Sequence, residues 1–149
     1  MESTHYLVFT LEDQRYALGI EAVERVVRAV EIRSVPQTSE ILMGLMNLQG
    51  RIIPVLNIRR RFHLPPRDMD IKDRIIVSRT SFRPIAIVAD RIEAVIEFPQ
   101  KEILEASQIL SDMEGYVEGV GKLNDDTVLI YDINKLFSIH EIQELNIED

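Results

Sequence analysis

The chain has no cysteine and no tryptophan, and only six glycines and six prolines among 149 residues. Without cysteine there is no disulfide framework and no thiolate to hold zinc or an iron–sulfur cluster. No apolar run approaches the roughly 20 residues that a membrane-spanning helix requires. Met1–Tyr6 also lacks a basic stretch leading into an apolar one, so a cytoplasmic protein without direct membrane insertion is expected. His5, His63 and His140 share no metal-ligand spacing, no glycine-rich phosphate loop is present, and no Ser, His and acid set stands out along the chain. The expectation is a non-enzyme with no catalytic residues, no metal and no cofactor.

What is present is ordinary in bulk and unusual in arrangement. Hydrophobic residues make up 46% and charged ones 28%, which suits one compact domain able to bury about two thirds of its unfolded surface. The segment GLMNLQGRIIPVLNIRRRF (44–62) is echoed without a gap by GVGKLNDDTVLIYDINKLF (119–137). The offset is 119 − 44 = 75 and pairs Leu48 with Leu123, Val55 with Ile130, Ile58 with Ile133 and Phe62 with Phe137. A second echo, Ile-Glu-Ala-Val at 20–23 and 92–95, has the offset 92 − 20 = 72, which reads as a three-residue insertion between the registers. Two copies of one small unit, too few for a solenoid, are predicted at roughly 14–72 and 73–137, with the N-terminal strand packing on the second half. The net charge of −8 is unevenly spread: residues 1–91 carry 14 basic and 11 acidic side chains, residues 92–149 carry 3 and 14. Such polarity orients partners on a quasi-symmetric backbone.

Within each copy the apolar period is that of strands. Tyr6–Leu11 and Arg15–Leu18 read as a hairpin, Ile20–Glu24 as one helical turn and Val26–Ile32 as a strand. Gln49-Gly50 makes the turn of the next hairpin. Pro54 cannot donate to a ladder, which predicts an edge strand or a bulge there. Asn57 and Asp132 fall where strand pattern gives way to helix pattern, and both residue types cap helices well. The first helix stops before Pro65-Pro66, whereas the second is expected to run through Leu136, Phe137, His140 and Leu145 as a C-terminal helix. Pro99–Glu114 reads as a long acidic connector with a helical turn. The fold class is therefore all-β, in its simplest form two small barrels sharing a hydrophobic seam.

YLVFTL (6–11), RYALGIEAVERVV (15–27), the 44–62 hairpin, RPIAIVADRIEAV (83–95) and YVEGVGKLNDDTVLIYDINKLF (116–137), in that order and spacing, resemble the CheW family of chemotaxis adaptors over essentially the whole chain. The resemblance implies a single CheW-like domain over 1–149, with two five-stranded SH3-like barrels around a shared core and short helices. It implies an adaptor that couples the regulatory domain of a CheA-type histidine kinase to the cytoplasmic tip of a chemoreceptor, at membrane-associated receptor arrays. It places Val23, Arg25, Met43 and Gly44 at the kinase-binding face, and Gln49, Ile75, Ala86, Ile92 and Val95 at the receptor-binding groove. The chain departs from the family pattern at three of its positions: Gln49 stands where arginine is usual, Arg25 where glutamate is common and Asn57 where aspartate is common. The first two remove and reverse a charge; the third preserves a cap.

Two other functions are compatible with a duplicated small-barrel chain. A divergent scaffold of a non-motility signalling pathway would show the same duplication. A nucleic-acid-binding barrel would need Arg51, Arg59, Arg60, Arg61 and Arg67 to form a basic patch, but no aromatic stacking platform lies among them. A solvated face on the first helix is the simpler reading, and no nucleic-acid partner is expected. Ile75, Ala86, Ile92 and Val95 read equally well as plain core, and Gly44 and Gly50 as close-approach or turn glycines.

Overall fold

The structure, a computed structural model, describes residues 4–36, 39–105 and 117–145. The chain runs β1 (His5–Leu11), β2 (Gln14–Gly19), β3 (Val23–Arg28), β4 (Leu42–Leu48), β5 (Arg51–Leu56) and α1 (Ile58–Arg61). The second copy supplies β6 (Arg74–Ser78), β7 (Ile85–Ala89), β8 (Arg91–Glu97), the two-residue β9 (Leu104–Glu105), β10 (Val117–Leu123), β11 (Asp126–Tyr131), α2 (Ile133–Leu136) and α3 (Ile139–Glu144). The all-β reading holds: one sheet has the order β8-β1-β2-β11-β10-β9, the other β3-β6-β7-β5-β4.

The sheets do not divide the chain at residue 72. Each copy lends its first hairpin to the other: β1–β2 lies with β8, β10 and β11, and β6–β7 lies with β3, β4 and β5. The parallel pairings make this exchange symmetric, Ala17 standing opposite Ile130 as Ala86 stands opposite Val55. Equivalent residues are therefore 86 − 17 = 69 apart in the exchanged hairpins and 130 − 55 = 75 apart in the later ones. The bulges agree, at Glu24 in β3 and Glu93 in β8, and at Met43 in β4 and Glu118 in β10. This corrects the reading of the Ile-Glu-Ala-Val echo. Ile20–Ala22 is a single 3₁₀ turn before β3, whereas Ile92–Val95 lies wholly within β8; the true counterpart of VERVV (23–27) is IEAVI (92–96). The insertion is 75 − 69 = 6 residues, between β8 and β10.

Strand alternation sorts the apolar residues into three cores. Tyr6 and Val8 face one barrel interior with Ala17, Phe98, Val128 and Ile130. Ile75 and Val77 face the other with Met46, Ile53, Val55 and Ala86. The intervening residues Leu7, Phe9, Leu18, Ile76 and Ile87 meet Leu56, Tyr131 and Phe137 in the shared seam. Tyr16, Phe62 and Tyr131 stack there with ring centroids 4.8 to 5.9 Å apart.

All three tight hairpin turns place two consecutive residues at positive φ: Glu12-Asp13, Gln49-Gly50 and Asn124-Asp125. That geometry matches strand twist even where no glycine supplies it. Asn57 accepts from the Arg60 amide and Asp132 from the Asn134 amide, so both caps form. Pro54 is not at an edge: β5 lies between β7 and β4, but its parallel pairing with β7 is reduced to Val55 opposite Ala86. At the matching Leu129 the ladder runs through four residue pairs, so the missing proline N–H opens the β5–β7 seam. The predicted single C-terminal helix is two. Phe137 turns extended, and Ser138 starts α3 with a capping box to Glu141. Of the acidic connector, Gln100–Glu102 forms a 3₁₀ turn; 106–114 lies outside the described residues.

Candidate interaction surfaces

Strands β3 and β8 are the pseudo-equivalent edges of the two sheets. Their bulges turn Val26 and Val95, counterparts at the offset 95 − 26 = 69, outward at 38% and 51% exposure. The surroundings then diverge. On β3, Val26 is flanked by the exposed Arg25 and Arg28, the only arginines among the described residues whose side chains neither donate a hydrogen bond nor form an ion pair. On β8 the matching positions are Ala94 and Glu97, the latter 3.5 Å from His5. One backbone edge therefore presents a bare cationic, apolar strip and the other a neutral to acidic one.

The residues of the expected kinase face are not all surface. Arg25 is exposed, Val23 and Met43 are partly buried, and Gly44 is buried. Strands β3 and β4 are opposite edges of their sheet, but the sheet curls so that β3 meets the β4–β5 hairpin: Arg51, at the start of β5, donates to both carboxylate oxygens of Glu24 at 3.0 and 3.3 Å. Gly44 is a close-approach position. A Cβ there would lie 2.6 Å from the Arg33 carbonyl oxygen, where Arg33 and Leu45 exchange backbone hydrogen bonds of 2.8 and 2.9 Å. Gly44→Ala should therefore cost about 1–3 kcal/mol, as overpacking does, and expose the Arg33 and Leu45 amides to faster hydrogen exchange. Wild-type exchange at both would show that the backbone yields without losing the bridge.

The residues of the expected receptor groove divide between interior and surface. Ile75 and Ala86 have no exposed surface and belong to a barrel interior with Val55 and Val77. Ile92 is half-buried against the shared seam. Gln49, at the β4–β5 tip with φ 52°, and Val95 are the exposed members. The alternation of β6 and β7 had offered each residue two faces, and nothing in the residue types distinguishes a barrel interior from a groove.

The arginine run is corrected in part: Arg51, Arg60 and Arg67 are exposed, but Arg59 and Arg61 are not solvated. Arg59 is 7% exposed and donates from one terminal nitrogen to both carboxylate oxygens of Asp90 at 2.7 and 2.8 Å, and from the other to Glu12 at 2.5 Å and to the Pro65 carbonyl at 3.0 Å. Arg67 joins Asp90 at 2.6 Å and the buried Asp73 at 2.9 Å. Arg61 lies 5.0 Å over the Phe137 ring and pairs with Glu141. Arg60 pairs with Glu40. Burial works to raise the Asp90 carboxyl, but the Glu12 amide, Arg59 and Arg67 overcome it and hold it below the ordinary aspartate value. Glu141 is held low against the same penalty by Arg61 and the Ser138 amide. Arg59 and Arg61 are enclosed, Arg51 and Arg60 are exposed, and each of the five arginines is paired with a carboxylate, so they form no free basic patch. Among the described residues no group of His, Asp and Glu could hold a metal ion, and no helix is long and apolar enough to cross a membrane.

The duplicated, hairpin-exchanged body is that of known proteins. The family model described as CheW-like domain matches residues 5–141. The chain is similar to the chemotaxis protein CheW of Treponema pallidum, 28% identical over 97% of this chain and 88% of that one. It is also similar to the chemotaxis protein CheW of Helicobacter pylori, 27% identical over 91% and 82%. The crystal structure of the scaffolding protein TtCheW from Thermoanaerobacter tengcongensis superposes with a TM-score of 0.81 at 28% identity, covering 94% of this chain and 96% of that one. With matched sequence and shared architecture along nearly all of its length, this chain belongs to the CheW-like family.

Proposed function

We propose that the protein is a non-enzymatic adaptor in chemotaxis-type signal transduction, coupling the regulatory domain of a CheA-type histidine kinase to the cytoplasmic tip of a chemoreceptor in the cytoplasm beneath receptor arrays. The observation that carries this reading is the pair of equivalent edges with unlike chemistry: Arg25, Val26 and Arg28 on β3, and Ala94, Val95 and Glu97 on β8. A rigid body with two related but differently charged faces fixes two partners in one geometry without any covalent step. The relatives named as chemotaxis and scaffolding proteins support the same role. A scaffold of a non-motility pathway would use the same faces and differ only in its partners.

Arg25 and Gln49 set partner choice in this reading. The unpaired Arg25 attracts an acidic kinase surface and repels the basic one that glutamate would meet. Gln49 offers a receptor carboxylate a neutral amide where arginine would offer a charge-assisted bond. Gln49→Arg and Arg25→Glu, singly and together, are titrated against kinase regulatory domains and receptor tips from this protein's own system and from one with the usual charges. Kinase affinity should move about tenfold with position 25 and receptor affinity by a similar factor with position 49, equivalent to about 1.4 kcal/mol each. The double variant should prefer the usual set. Equal binding of all variants to both sets would remove these residues from the interfaces.

A further inference from the structure

We propose that Arg51 links the two partner surfaces of the first barrel: its open guanidinium edge takes a partner carboxylate at the β4–β5 turn, and its hold on Glu24 keeps Arg25 bare for the acidic partner of β3. On the adaptor reading, on which this rests, those partners are the receptor tip and the kinase. An arginine here stands unpaired beside a glutamate. Arg25 directly follows Glu24, the extra residue of the β3 bulge, yet its side chain has no partner among the described residues. Glu24 is turned the other way, with both carboxylate oxygens on the terminal nitrogens of Arg51 at 3.0 and 3.3 Å. Arg51 is the first residue after the Gln49-Gly50 turn, which Asn47 braces by accepting from the Gly50 amide at 2.8 Å. One ion pair therefore joins the turn to the β3 edge.

The second copy makes the same tie by other means. Glu93 stands where Glu24 does (93 − 24 = 69) and Asp126 where Arg51 does (126 − 51 = 75), so both positions carry carboxylates there. Arg15 of β2 lies between them, pairing with Asp126 and coming within 3.7 Å of Glu93. Its counterpart in the first copy is Pro84 (84 − 15 = 69), which has no charge. A tie remade with different residues marks the joining of turn and edge as what this body requires. Only the first copy leaves the tie open to a partner. Arg15 is largely buried between its two carboxylates, and Ala94, at the place of Arg25, has no charge to uncover. Arg51 keeps 48% of its side chain exposed, and its Nε–H edge has no partner among the described residues. The chain already seats two carboxylates on one guanidinium, at Arg59 with Asp90 and Glu12 and at Arg67 with Asp73 and Asp90. A receptor carboxylate on the open edge makes Arg51 a third such site. Fixing the guanidinium from that side holds Glu24 on the other, so each partner strengthens the other's binding by the same factor. Released from Arg51, Glu24 instead neutralises its neighbour Arg25.

The full chain and its Arg51→Gln, Glu24→Gln and doubly substituted forms are titrated with the kinase regulatory domain of its own system, with and without a saturating receptor tip. Arg60→Gln, which removes an exposed arginine paired with Glu40, controls for loss of charge alone, and thermal melts establish that every variant is folded. The receptor tip should tighten kinase binding by the wild type about threefold, within what an exposed ion pair supplies, and should not tighten it in any variant of the tie. Arg51→Gln should also weaken kinase binding by that factor and receptor binding with it. Adding Glu24→Gln should restore kinase binding, a gain larger than Glu24→Gln gives alone, while receptor binding stays weak. In the free chain, the Arg25 Nε proton should exchange more slowly in Arg51→Gln than in the wild type, as Glu24 turns to it. Additive effects of the two substitutions, an equal loss in Arg60→Gln, or unchanged exchange at Arg25 would overturn the proposal. Both partners binding without the threefold coupling would overturn it and leave the adaptor reading standing; neither partner binding the wild type would overturn both.

Discussion

Asp90→Ala should destabilise the protein by about 3 kcal/mol, the low end of what breaking a buried ion pair costs, because Asp90 keeps a quarter of its side chain exposed. The loss is not the attraction alone. Arg59 is nearly enclosed, with 8% of its side chain exposed, and two of its bonds end on Asp90; without that carboxylate a guanidinium remains out of water with one carboxylate and one carbonyl. Arg67 loses one of its two carboxylates in the same step, and the Glu12 amide loses its acceptor. Replacing the whole charged pair, Arg59→Met with Asp90→Leu, should cost less than Asp90→Ala, since no charge is then stranded. Urea unfolding checks both, and a more stable Asp90→Ala than the double variant would contradict the account. The pH dependence follows from the same carboxylates. Asp90 and Glu141 are held below their ordinary values in the folded chain, so their contribution is complete above about pH 5 and is lost as pH falls below about 4, through the depressed folded values. Asp90→Ala should flatten that acid limb while leaving the slope at neutral pH unchanged.

The hairpins and the seam were readable because both copies repeat the apolar positions of a strand pair at one offset, and because asparagine and aspartate sit where strands become helices. Those are local signals, carried by period and by capping chemistry. The exchange of hairpins was not readable. Nothing in β1–β2 or β6–β7 says which copy it pairs with, since both candidate sheets offer the same pattern. The tetrapeptide identity at 20–23 and 92–95 misled for a related reason: identical residues were wound into a turn in one copy and laid flat in the other, and the parallel pairings with the bulges at Glu24 and Glu93 establish the register. Arg59 and Arg61 looked solvated because charge runs usually are. Their carboxylates, Asp90 and Glu141, lie 31 and 80 residues away, beyond any local pattern. Val26, the exposed valine of β3, was missed because the incorrect offset paired Val95 with Val23; aligning VERVV with IEAVI would have shown it.

That register also predicts how the two barrel interiors exchange volume. Met46 and Gly121 are counterparts (121 − 46 = 75), and so are Ala29 and Phe98 (98 − 29 = 69). One barrel holds Met46, buried at 2% exposure, while the half-buried Ala29 contributes little volume. The other has no side chain at 121 and fills the space with the Phe98 ring, 4% exposed and 3.3 Å from where a Gly121 Cβ would lie. Phe98→Ala should therefore cost about 3–5 kcal/mol, as buried phenylalanines do, with the cavity opening against Tyr6, whose ring centroid is 5.8 Å away. Gly121→Met alone should cost about 1–3 kcal/mol by overpacking the same space. Combined, the two changes rebuild the packing of the first barrel in the second, since the introduced thioether occupies what the ring vacates. Urea unfolding of the four proteins gives the coupling, which should be about 2 kcal/mol in favour of the double variant, within the range for residues that share a cavity. Strict additivity would show that Phe98 and position 121 do not compete for one volume, and that the equivalence between the barrels ends at their backbones.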